Sequence, residues 1–437
     1  MQIKPVYWIV LLLLCISQNG PAQTFEKYTL HEGKPEHAGF SQDRLSRIDS
    51  VFTEYVDKGY SAGYIGLVAR NGEIVYYNSV GYDNISIKTP LKKDAIFRVA
   101  SQTKAVTSVA VMMLYEEGKF LLDDPISKYL PEFKNQSVID SFNEKDSSYT
   151  TIPVKREITI RDLLRHTSGL GYPMTGDKAM NSIFAKNDII MGINPGNRKI
   201  KDQMKKLGAL PLAHQPGEKF TYGLSVDVLG YLVETLTGQS LDTFLRERLF
   251  KPIGMNDTYF VLPSEKFNRL CALYGEDKDG KLVKVEKSEG FDPDYPKIKT
   301  DYFCGGGGLS STAYDYSIFI QMMANGGEYN GKRYLSESSV KMMRTVQTGD
   351  LPCGSLFILG VPGSYGLGFE VISAKGSIQS ALPEGTFGWG GTFGSLYWID
   401  PVNNIIAQLV IQKGPNRYED IRKKFIALVY QSLEDYK

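Results

Sequence analysis

The sequence contains few residues of the types that hold disulfide bonds or metal ions. It has four cysteines and four histidines in 437 residues. Cys15 lies near the N terminus, and the other three, Cys271, Cys304 and Cys353, are widely spaced without a C-x-x-C pair. No two histidines show H-x-x-x-H spacing. These absences exclude a disulfide scaffold and argue against metal catalysis, so no cofactor is expected.

The chain also lacks an excess of either charge. Fifty lysines and arginines face 49 aspartates and glutamates, a formal net charge of +1. That balance gives no attraction toward nucleic acid or an anionic membrane, so the expected partner is a small molecule. The length predicts one large domain or two closely joined ones, and the oligomeric state stays open.

An uninterrupted apolar run occurs at the N terminus. It extends from Val6 to Ile16, follows Lys4, and is succeeded by small and polar residues up to Ala22. The run is shorter than the ~20 residues of a membrane-spanning helix. It predicts a signal peptide over residues 1–22, cleaved after Ala22, and a secreted or periplasmic protein, with uncleaved anchoring as the alternative.

Two hairpin patterns lie at opposite ends of the chain. Near the N terminus, two runs rich in β-branched and aromatic residues flank Asn71-Gly72, a pair that tolerates positive φ. Near the C terminus, a strand ending at Ile399 and a strand from Ile405 to Gln412 precede a helical pattern. The apolar positions of that helix are Ile421, Phe425, Leu428 and Val429.

Strands at both ends predict an α/β protein of the α+β type. Its antiparallel sheet combines N- and C-terminal segments, is flanked by helices, and carries an inserted, mainly helical domain. The predicted sheet domain comprises residues 24–120 and 301–437, and the insertion comprises residues 121–300. Residues 135–216 are too long for a plain connection and are expected to form a lid or a substrate-facing surface. Asp277 to Gly280 is expected to be a hairpin turn, because the later acidic ligands of a calcium loop are missing.

The stretch FRVASQTKAVTSVAVMMLYEEGK places Ser101 three residues before Lys104 at the start of an apolar run. A helix beginning at Ser101 and ending near Gly118 is apolar nearly all round and is therefore expected to be buried. Both side chains then share one face, beside N–H groups that can stabilise an oxyanion. The same spacing recurs at Ser338 and Lys341, so spacing alone leaves Ser101 as a possible N-cap. Lys104 is harder to explain structurally, because an unpaired buried ammonium is costly.

Two further stretches stand out. Tyr222 follows a Pro-Gly turn and precedes a helical pattern, and Trp389-Gly390-Gly391-Thr392 leads into the C-terminal strand. Glycines there permit close approach of the backbone to a ligand. Taken singly, a core tyrosine and a β-bulge would explain them. No G-x-S-x-G motif occurs, which argues against an α/β-hydrolase.

Together these stretches resemble the serine hydrolases of the β-lactamase-related superfamily. That superfamily includes class C β-lactamases, D-alanyl-D-alanine carboxypeptidases and family VIII carboxylesterases. The resemblance covers nearly the whole mature chain and keeps the order of the segments. They read FRVASQTK, LLDDPISKYLPEF, ITIRDLLRHTSGL, PGEKFTYGLSVDVLG, KPIGMNDTYF, YFCGGGGLSSTAYDYSIFIQMMANGG and FGWGGTFGSLYWIDP.

The resemblance implies a covalent acyl-enzyme mechanism. Ser101 matches the nucleophile, Lys104 the lysine that takes or shares its proton, and Tyr222 the tyrosine that moves a proton to the leaving group. A serine hydroxyl is a weak nucleophile without such a base. The implied oxyanion hole consists of the N–H groups of Ser101 and Thr392. His166, in the HTSGL segment, is expected to support a loop by hydrogen bonding and not to act as a base.

Two departures from the superfamily pattern concern the substrate. Trp389-Gly390-Gly391 stands where β-lactamases and peptidases usually have Lys-Thr-Gly, so a cation that binds a substrate carboxylate is replaced by an indole. Leu224 stands where an asparagine often offers its amide to a peptide-like side chain. Trp389, Gly390, Gly391 and Leu224 are therefore predicted to bind the substrate in a more apolar site. The W-G-G type occurs in family VIII carboxylesterases.

These features predict hydrolysis of carboxylic esters through an acyl-enzyme at Ser101. The first alternative is a β-lactamase or a D-alanyl-D-alanine carboxypeptidase or D-aminopeptidase. A second is a non-catalytic relative that binds penicillin or peptidoglycan, and an acyltransferase using an alcohol in place of water would share every residue named.

Overall fold

The computed structural model describes residues 27–173, 177–353 and 358–436. The predicted signal peptide, residues 1–22, lies outside these ranges. Over the described ranges, no helix combines the length and apolar character that a membrane crossing requires.

The strands of the described residues fall mainly near the two ends of the chain. They are β1 (His31–Glu32), β2 (Gly63–Arg70), β3 (Glu73–Asn84), β4 (Thr89–Pro90), β5 (Phe97–Arg98), β6 (Ser137–Phe142), β7 (Tyr149–Pro153), β8 (Tyr274–Glu276), β9 (Leu282–Lys284), β10 (Ser310–Ser311), β11 (Glu328–Tyr329), β12 (Lys332–Arg333), β13 (Gly363–Tyr365), β14 (Glu370–Ile372), β15 (Phe387–Gly390), β16 (Gly394–Asp400) and β17 (Ile405–Gln412).

The α-helices of the described residues are concentrated between those strand groups. They are α1 (Gln42–Leu45), α2 (Arg47–Asp57), α3 (Thr103–Glu116), α4 (Ile160–Leu164), α5 (Lys178–Lys186), α6 (Ile200–Gly208), α7 (Ser225–Thr237), α8 (Leu241–Leu245), α9 (Lys251–Ile253), α10 (Ala313–Ala324), α11 (Glu337–Met343), α12 (Ala374–Ser377) and α13 (Asp420–Gln431).

One large sheet combines the two ends of the chain, as predicted. Its order is β1-β3-β2-β17-β16-β15-β14-β13, with β4 beside β3. The pairs are antiparallel except β1 with β3. The β2–β3 hairpin turns at Asn71 and Gly72, which have φ of 51° and 78°. β2 pairs with β17, so the first hairpin and the last hairpin meet in the middle of the sheet.

The sheet is covered on both faces, because successive side chains of a strand point to opposite sides. In β17, Ala407 and Leu409 face one core and Ile406 and Val410 face the other. Helices α2 and α13 cover the first face, and α10 covers the second. The prediction of a C-terminal amphipathic helix is confirmed by α13.

Helix α3 forms the centre of the second core. A 3₁₀ turn over Ala100–Gln102 precedes it, and twelve of its residues, from Thr103 to Leu114, are buried. It ends just before Gly118, which has φ 71°. The predicted buried helix is therefore present, although its first turn is 3₁₀. α3 packs against α7, and α4 packs against α7 in turn.

The segment between the sheet strands contains α4 to α9 and two small hairpins, β6–β7 and β8–β9. The predicted turn at Asp277 to Gly280 joins β8 to β9. Residues 135–216 contain β6, β7 and α4 to α6, so this region is more regular than its sequence indicates. Its function as a lid and the domain boundaries stay predictions.

Candidate active site

Ser101 lies on a tight turn between β5 and α3. Ala100, directly before it, has φ 47°, a left-handed conformation that is uncommon for a residue with a side chain. The turn is fixed from several sides: β5 pairs with β10, Gln102 N donates to Val99 O at 3.1 Å, and Gln102 O accepts from Tyr316 at 2.9 Å. Strained backbone of this kind persists only where the surroundings hold it, and it is common at functional sites.

Lys104 is completely buried one helical turn after Ser101. Its Nζ faces three oxygens: Ser101 Oγ at 3.3 Å, the Tyr172 hydroxyl at 2.8 Å and Gly306 O at 2.6 Å. Nζ also lies 4.6 Å from the centre of the Tyr222 ring. The lysine that the sequence marks as costly to bury is therefore provided with a hydrogen-bond partner for each of its three protons.

The second S-x-x-K sequence lies in a different environment. Ser338 and Lys341 are exposed on the surface helix α11. The two sites share the spacing and differ in burial, which is why spacing alone cannot identify the nucleophile.

Tyr222 is held by the HTSGL segment. Thr221 N donates to His166 O at 2.7 Å, and Leu224 N donates to Gly171 O at 3.2 Å. Between them, Gly223 lies so close to the segment that an added Cβ would lie 2.1 Å from Leu170 O. This close contact places the Tyr222 ring beside Lys104.

His166 lies behind Tyr222 and is completely buried. Its Nδ1 accepts from Gly223 N at 3.4 Å, and its ring centre lies 4.7 Å from that of Tyr222. Burial, followed by the nearby charge of Lys104, lowers the pKa of His166 well below its usual value. His166 is therefore a neutral group that supports the loop.

The end of β15 closes the site. Gly391 approaches the turn that carries Ser101 so closely that an added Cβ would lie 2.6 Å from Val99 O. Trp389 Nε1 donates to the Tyr222 hydroxyl at 3.4 Å, and the Trp389 ring centre lies 5.2 Å from that of Tyr365. Thr392 follows at the exposed turn between β15 and β16.

Two backbone N–H groups are available for an oxyanion. That of Ser101 lies at the start of a helical segment, where N–H groups have no acceptor within the helix. That of Thr392 donates to no acceptor among the described residues. The short Gly391–Val99 approach brings these two segments together, as an oxyanion hole requires.

The predicted site residues divide into an accessible and an enclosed set. Ser101 and Tyr222 are half-buried and Thr392 is exposed, so a ligand can reach them. Trp389 and Leu224 are each 1% exposed and belong to the hydrophobic core, and Gly390 and Gly391 are buried. Their predicted contact with substrate stays a prediction, and for Trp389 the structure shows a contact with Tyr222 instead.

Two buried polar residues that the sequence reasoning missed lie beside Lys104. Tyr172 is bonded to it, and Asp227, on α7, has its carboxylate completely buried. An aspartate inside the apolar run SVDVLGYLV is the signal that could have identified it, because a buried carboxylate needs a compensating charge or hydrogen bond. Nothing in the sequence distinguishes Tyr172 from a core tyrosine.

The three cysteines of the described residues, Cys271, Cys304 and Cys353, are buried and free. Over the same ranges, no group of three or more His, Cys, Asp or Glu side chains could hold a metal ion.

Comparison with known proteins shows the family of this chain. A family model described as Beta-lactamase matches residues 48–431. Esterase EstB of Burkholderia gladioli is 30% identical over 383 residues, which cover 83% of this chain and 89% of that protein. A putative D-alanyl-D-alanine carboxypeptidase of Escherichia coli K12 is 29% identical over 459 residues, 94% of each chain.

Solved structures show the same fold. EstCE1, described as a hydrolase with promiscuous acyltransferase activity, superposes with a TM-score of 0.74 at 24% identity, covering 89% of this chain and 99% of its own. With a family model that spans most of the chain and a buried lysine within 3.3 Å of a serine at a helix start, the chain belongs to the Beta-lactamase family of serine hydrolases.

Proposed function

We propose that the protein hydrolyses carboxylic esters through an acyl-enzyme at Ser101. The observation that carries this proposal is the position of Lys104 Nζ, 3.3 Å from Ser101 Oγ and 4.6 Å from the centre of the Tyr222 ring. A serine needs an adjacent base to become a nucleophile, and this base is in contact with it.

The reaction proceeds in two halves. The Ser101 O–H bond breaks, its proton passes to Lys104, and Oγ bonds to the ester carbonyl carbon, whose oxygen accepts from the N–H groups of Ser101 and Thr392. The bond from carbon to the alcohol oxygen then breaks, and Tyr222 delivers a proton to that oxygen. Water then loses a proton to the Tyr222 oxygen and bonds to the acyl carbon. The bond from that carbon to Ser101 Oγ breaks, Oγ takes back the proton held by Lys104, and the carboxylic acid is released.

Preference for esters over β-lactams or peptides rests on two features. An indole stands where the peptidases of the superfamily present a lysine, so no side chain at position 389 offers a cation to a substrate carboxylate. The sequence similarity to esterase EstB supports the same choice. A putative carboxypeptidase is also similar, and peptidase activity is the competing proposal.

The experiment compares Ser101→Ala with Ser338→Ala, the serine of the exposed S-x-x-K sequence, as the matched control. Each variant is assayed on a panel of p-nitrophenyl esters beside nitrocefin and a D-Ala-D-Ala peptide. We expect turnover of short-chain esters by the wild type and by Ser338→Ala, and none by Ser101→Ala. Ester turnover by Ser101→Ala above background would remove the assignment, and faster turnover of the peptide than of every ester would favour a peptidase.

Secretion is part of the proposal and has its own test. The N-terminal residue of protein purified from the native host is expected to be Gln23, following cleavage after Ala22. A retained Met1 on the mature protein contradicts cleavage.

A further inference from the structure

The loop over residues 191–196 belongs to the region predicted from the sequence to be a lid or a substrate-facing surface, and it packs against residues 304–308. The Cys304 thiol donates to the carbonyl oxygen of the first residue of the loop at 3.8 Å. A Cβ added at Gly192 would lie 2.7 Å from the same sulfur. Four of the five residues 304–308 are glycines, so the loop can approach their backbone closely. These contacts fix the loop directly before Ile193, whose side chain is partly buried.

Ile193 lies beside the turn that carries Ser101. A Cβ added at Gly307 would lie 2.8 Å from Ile193 Cγ1 and 2.9 Å from its Cδ1, so the isoleucine occupies the space that a side chain at position 307 would need. The same point lies 3.9 Å from the carbonyl carbon of Ala100, which is bonded to Ser101 N. The residue before Gly307 accepts through its carbonyl oxygen from Lys104 Nζ at 2.6 Å. Ile193 therefore borders the space next to the serine and the lysine.

Ile193 also lines a small apolar cavity. The apolar walls of the cavity are Ile193, Phe260, Tyr295, Ile298 and Tyr302. Its volume is about 20 Å³, close to the least that holds one water molecule, so an acyl chain does not fit into it. Phe260 and Tyr302 are buried whereas Ile298 is 42% exposed, so the cavity extends from the interior toward the surface.

The two parts of an ester occupy different places around Ser101. In the proposed reaction, Tyr222 delivers a proton to the alcohol oxygen, so the alcohol part lies at the Tyr222 hydroxyl, which accepts from Trp389. The acyl part stays bonded to Ser101 after the alcohol has left. It is therefore expected on the side of Gly307, where Ile193 is the side chain that it meets.

We propose that Ile193 is the residue that determines which acyl chains the site accepts. Its side chain ends the acyl subsite beside Gly307 and separates that subsite from the apolar cavity. Acetyl and butyryl groups fit in front of Ile193, and longer straight chains collide with it. Removal of its outer carbons joins the subsite to the cavity, whose apolar walls can then bind the additional methylenes. This inference rests on the proposed function, since an acyl chain is present only if Ser101 is acylated.

The experiment measures kcat/KM for p-nitrophenyl acetate, butyrate and octanoate with the wild type, Ile193→Val and Ile193→Ala. The readout is the octanoate-to-acetate ratio within each protein, which does not depend on how much of a preparation is active. Ile190→Ala is the matched control. Ile190 lies three residues earlier in the chain and is also partly buried against the second core, but it is not part of the cavity lining.

We expect the octanoate-to-acetate ratio to rise about tenfold or more in Ile193→Ala, because each methylene that becomes buried strengthens binding roughly fourfold. Ile193→Val loses one methyl group and is expected to show a smaller rise, which also carries the test if the alanine variant does not fold. Ile190→Ala is expected to keep the wild-type ratio. Ethyl acetate and octyl acetate carry their chains on the alcohol part, and their relative rates are expected to stay unchanged in every variant.

Two fluorophosphonates, with a methyl or an octyl chain on phosphorus, provide a second readout that needs no ester turnover. Ser101 Oγ bonds to phosphorus and fluoride leaves, and intact mass with identification of the modified peptide follows the labelling. A higher octyl-to-methyl labelling ratio in Ile193→Ala than in the wild type, without turnover of any ester, supports the function of Ile193 and removes the esterase proposal.

Other results overturn the inference. Folded Ile193→Ala protein that turns over esters with the wild-type chain-length ratios overturns the function of Ile193 and leaves the esterase proposal in place. An equal change in Ile190→Ala would show that the loop as a whole, and not Ile193, sets the ratio. A change confined to the alkyl acetates would place Ile193 at the alcohol part. Labelling at a residue other than Ser101 overturns both proposals.

Discussion

The contact between Trp389 and Tyr222 leads to a prediction that distinguishes two functions of the tryptophan, binding of the substrate and stabilisation of Tyr222. From sequence, Trp389 binds substrate, and its loss should raise KM. In the structure it is 1% exposed and donates from Nε1 to the Tyr222 hydroxyl at 3.4 Å. If Tyr222 loses its proton to the leaving group, that N–H stabilises the resulting negative oxygen, and its loss should lower kcat.

The magnitude follows from the change in charge. A neutral hydrogen bond contributes about 0.5 kcal/mol at the weak end of its range, which suits a 3.4 Å contact, and a bond to a charged group contributes about 1.5–3 kcal/mol. The difference, about 1–2.5 kcal/mol, corresponds to a loss of about 5- to 70-fold in kcat. Trp389→Phe keeps the ring packing against Tyr365 and removes the N–H.

The assay is steady-state hydrolysis of p-nitrophenyl acetate, with kcat and KM resolved separately. Trp398→Phe is the control, since it removes the same atoms from a buried tryptophan in the core on the opposite face of the sheet. If Trp389→Phe keeps kcat within twofold of the wild type and raises KM, Trp389 contacts substrate and the argument from Tyr222 is wrong.

Two further substitutions test the structure around the site. Folding raises the pKa of Asp227 from 3.8 to about 6, so between these pH values the carboxyl group is protonated in the folded state and ionised in the unfolded state. Stability is thus lost as pH rises through this window, by about 1.4 kcal/mol per unit, and is constant above it. Asp227→Asn lacks this loss, so the melting temperature of the variant should rise relative to that of the wild type from pH 4 to 6, and the difference should stay constant above pH 6. A difference that does not change with pH would contradict a raised pKa. Gly391→Ala places a methyl group 2.6 Å from Val99 O, and we expect it to lower kcat about 100-fold by shifting the end of β15 away from Ser101. Gly275→Ala is the control, because the atom nearest to its added methyl lies at 3.4 Å, and we expect it to keep the kcat of the wild type. Equal activity of the two glycine variants would mean that the close approach of Gly391 to the turn carrying Ser101 is not needed for activity.

Features of the fold that depend on local pattern could be predicted from the sequence. Asn71-Gly72 requires positive φ and identified the β2–β3 hairpin, and the apolar spacing after Ile421 identified α13. The all-round apolar run after Ser101 likewise predicted a buried central helix. The β6–β7 hairpin within residues 135–216 was missed, because β7 is exposed along its length and has no apolar alternation to reveal it.

The surroundings of Lys104 could not be predicted, because they depend on how α3 and α7 pack. Alignment with family motifs placed Trp389 and Leu224 along the chain, but a motif does not state which way a side chain faces, and both lie inside. Asp227 shares with Lys104 the feature that a charged residue lies within an apolar helical pattern. A buried aspartate, like a buried lysine, is costly unless a partner compensates its charge.

The pairing of Arg70 with Ile405 has a consequence for how the molecule matures. A polypeptide emerging from the ribosome holds Ser101, Lys104 and Tyr222 long before it contains Thr392 or the strand that completes the sheet. Contacts between such distant segments form late and slowly, since loop closure must precede them. A partly synthesised chain therefore holds Ser101 and Lys104 without the Thr392 amide, and the site is complete only when the last strand docks.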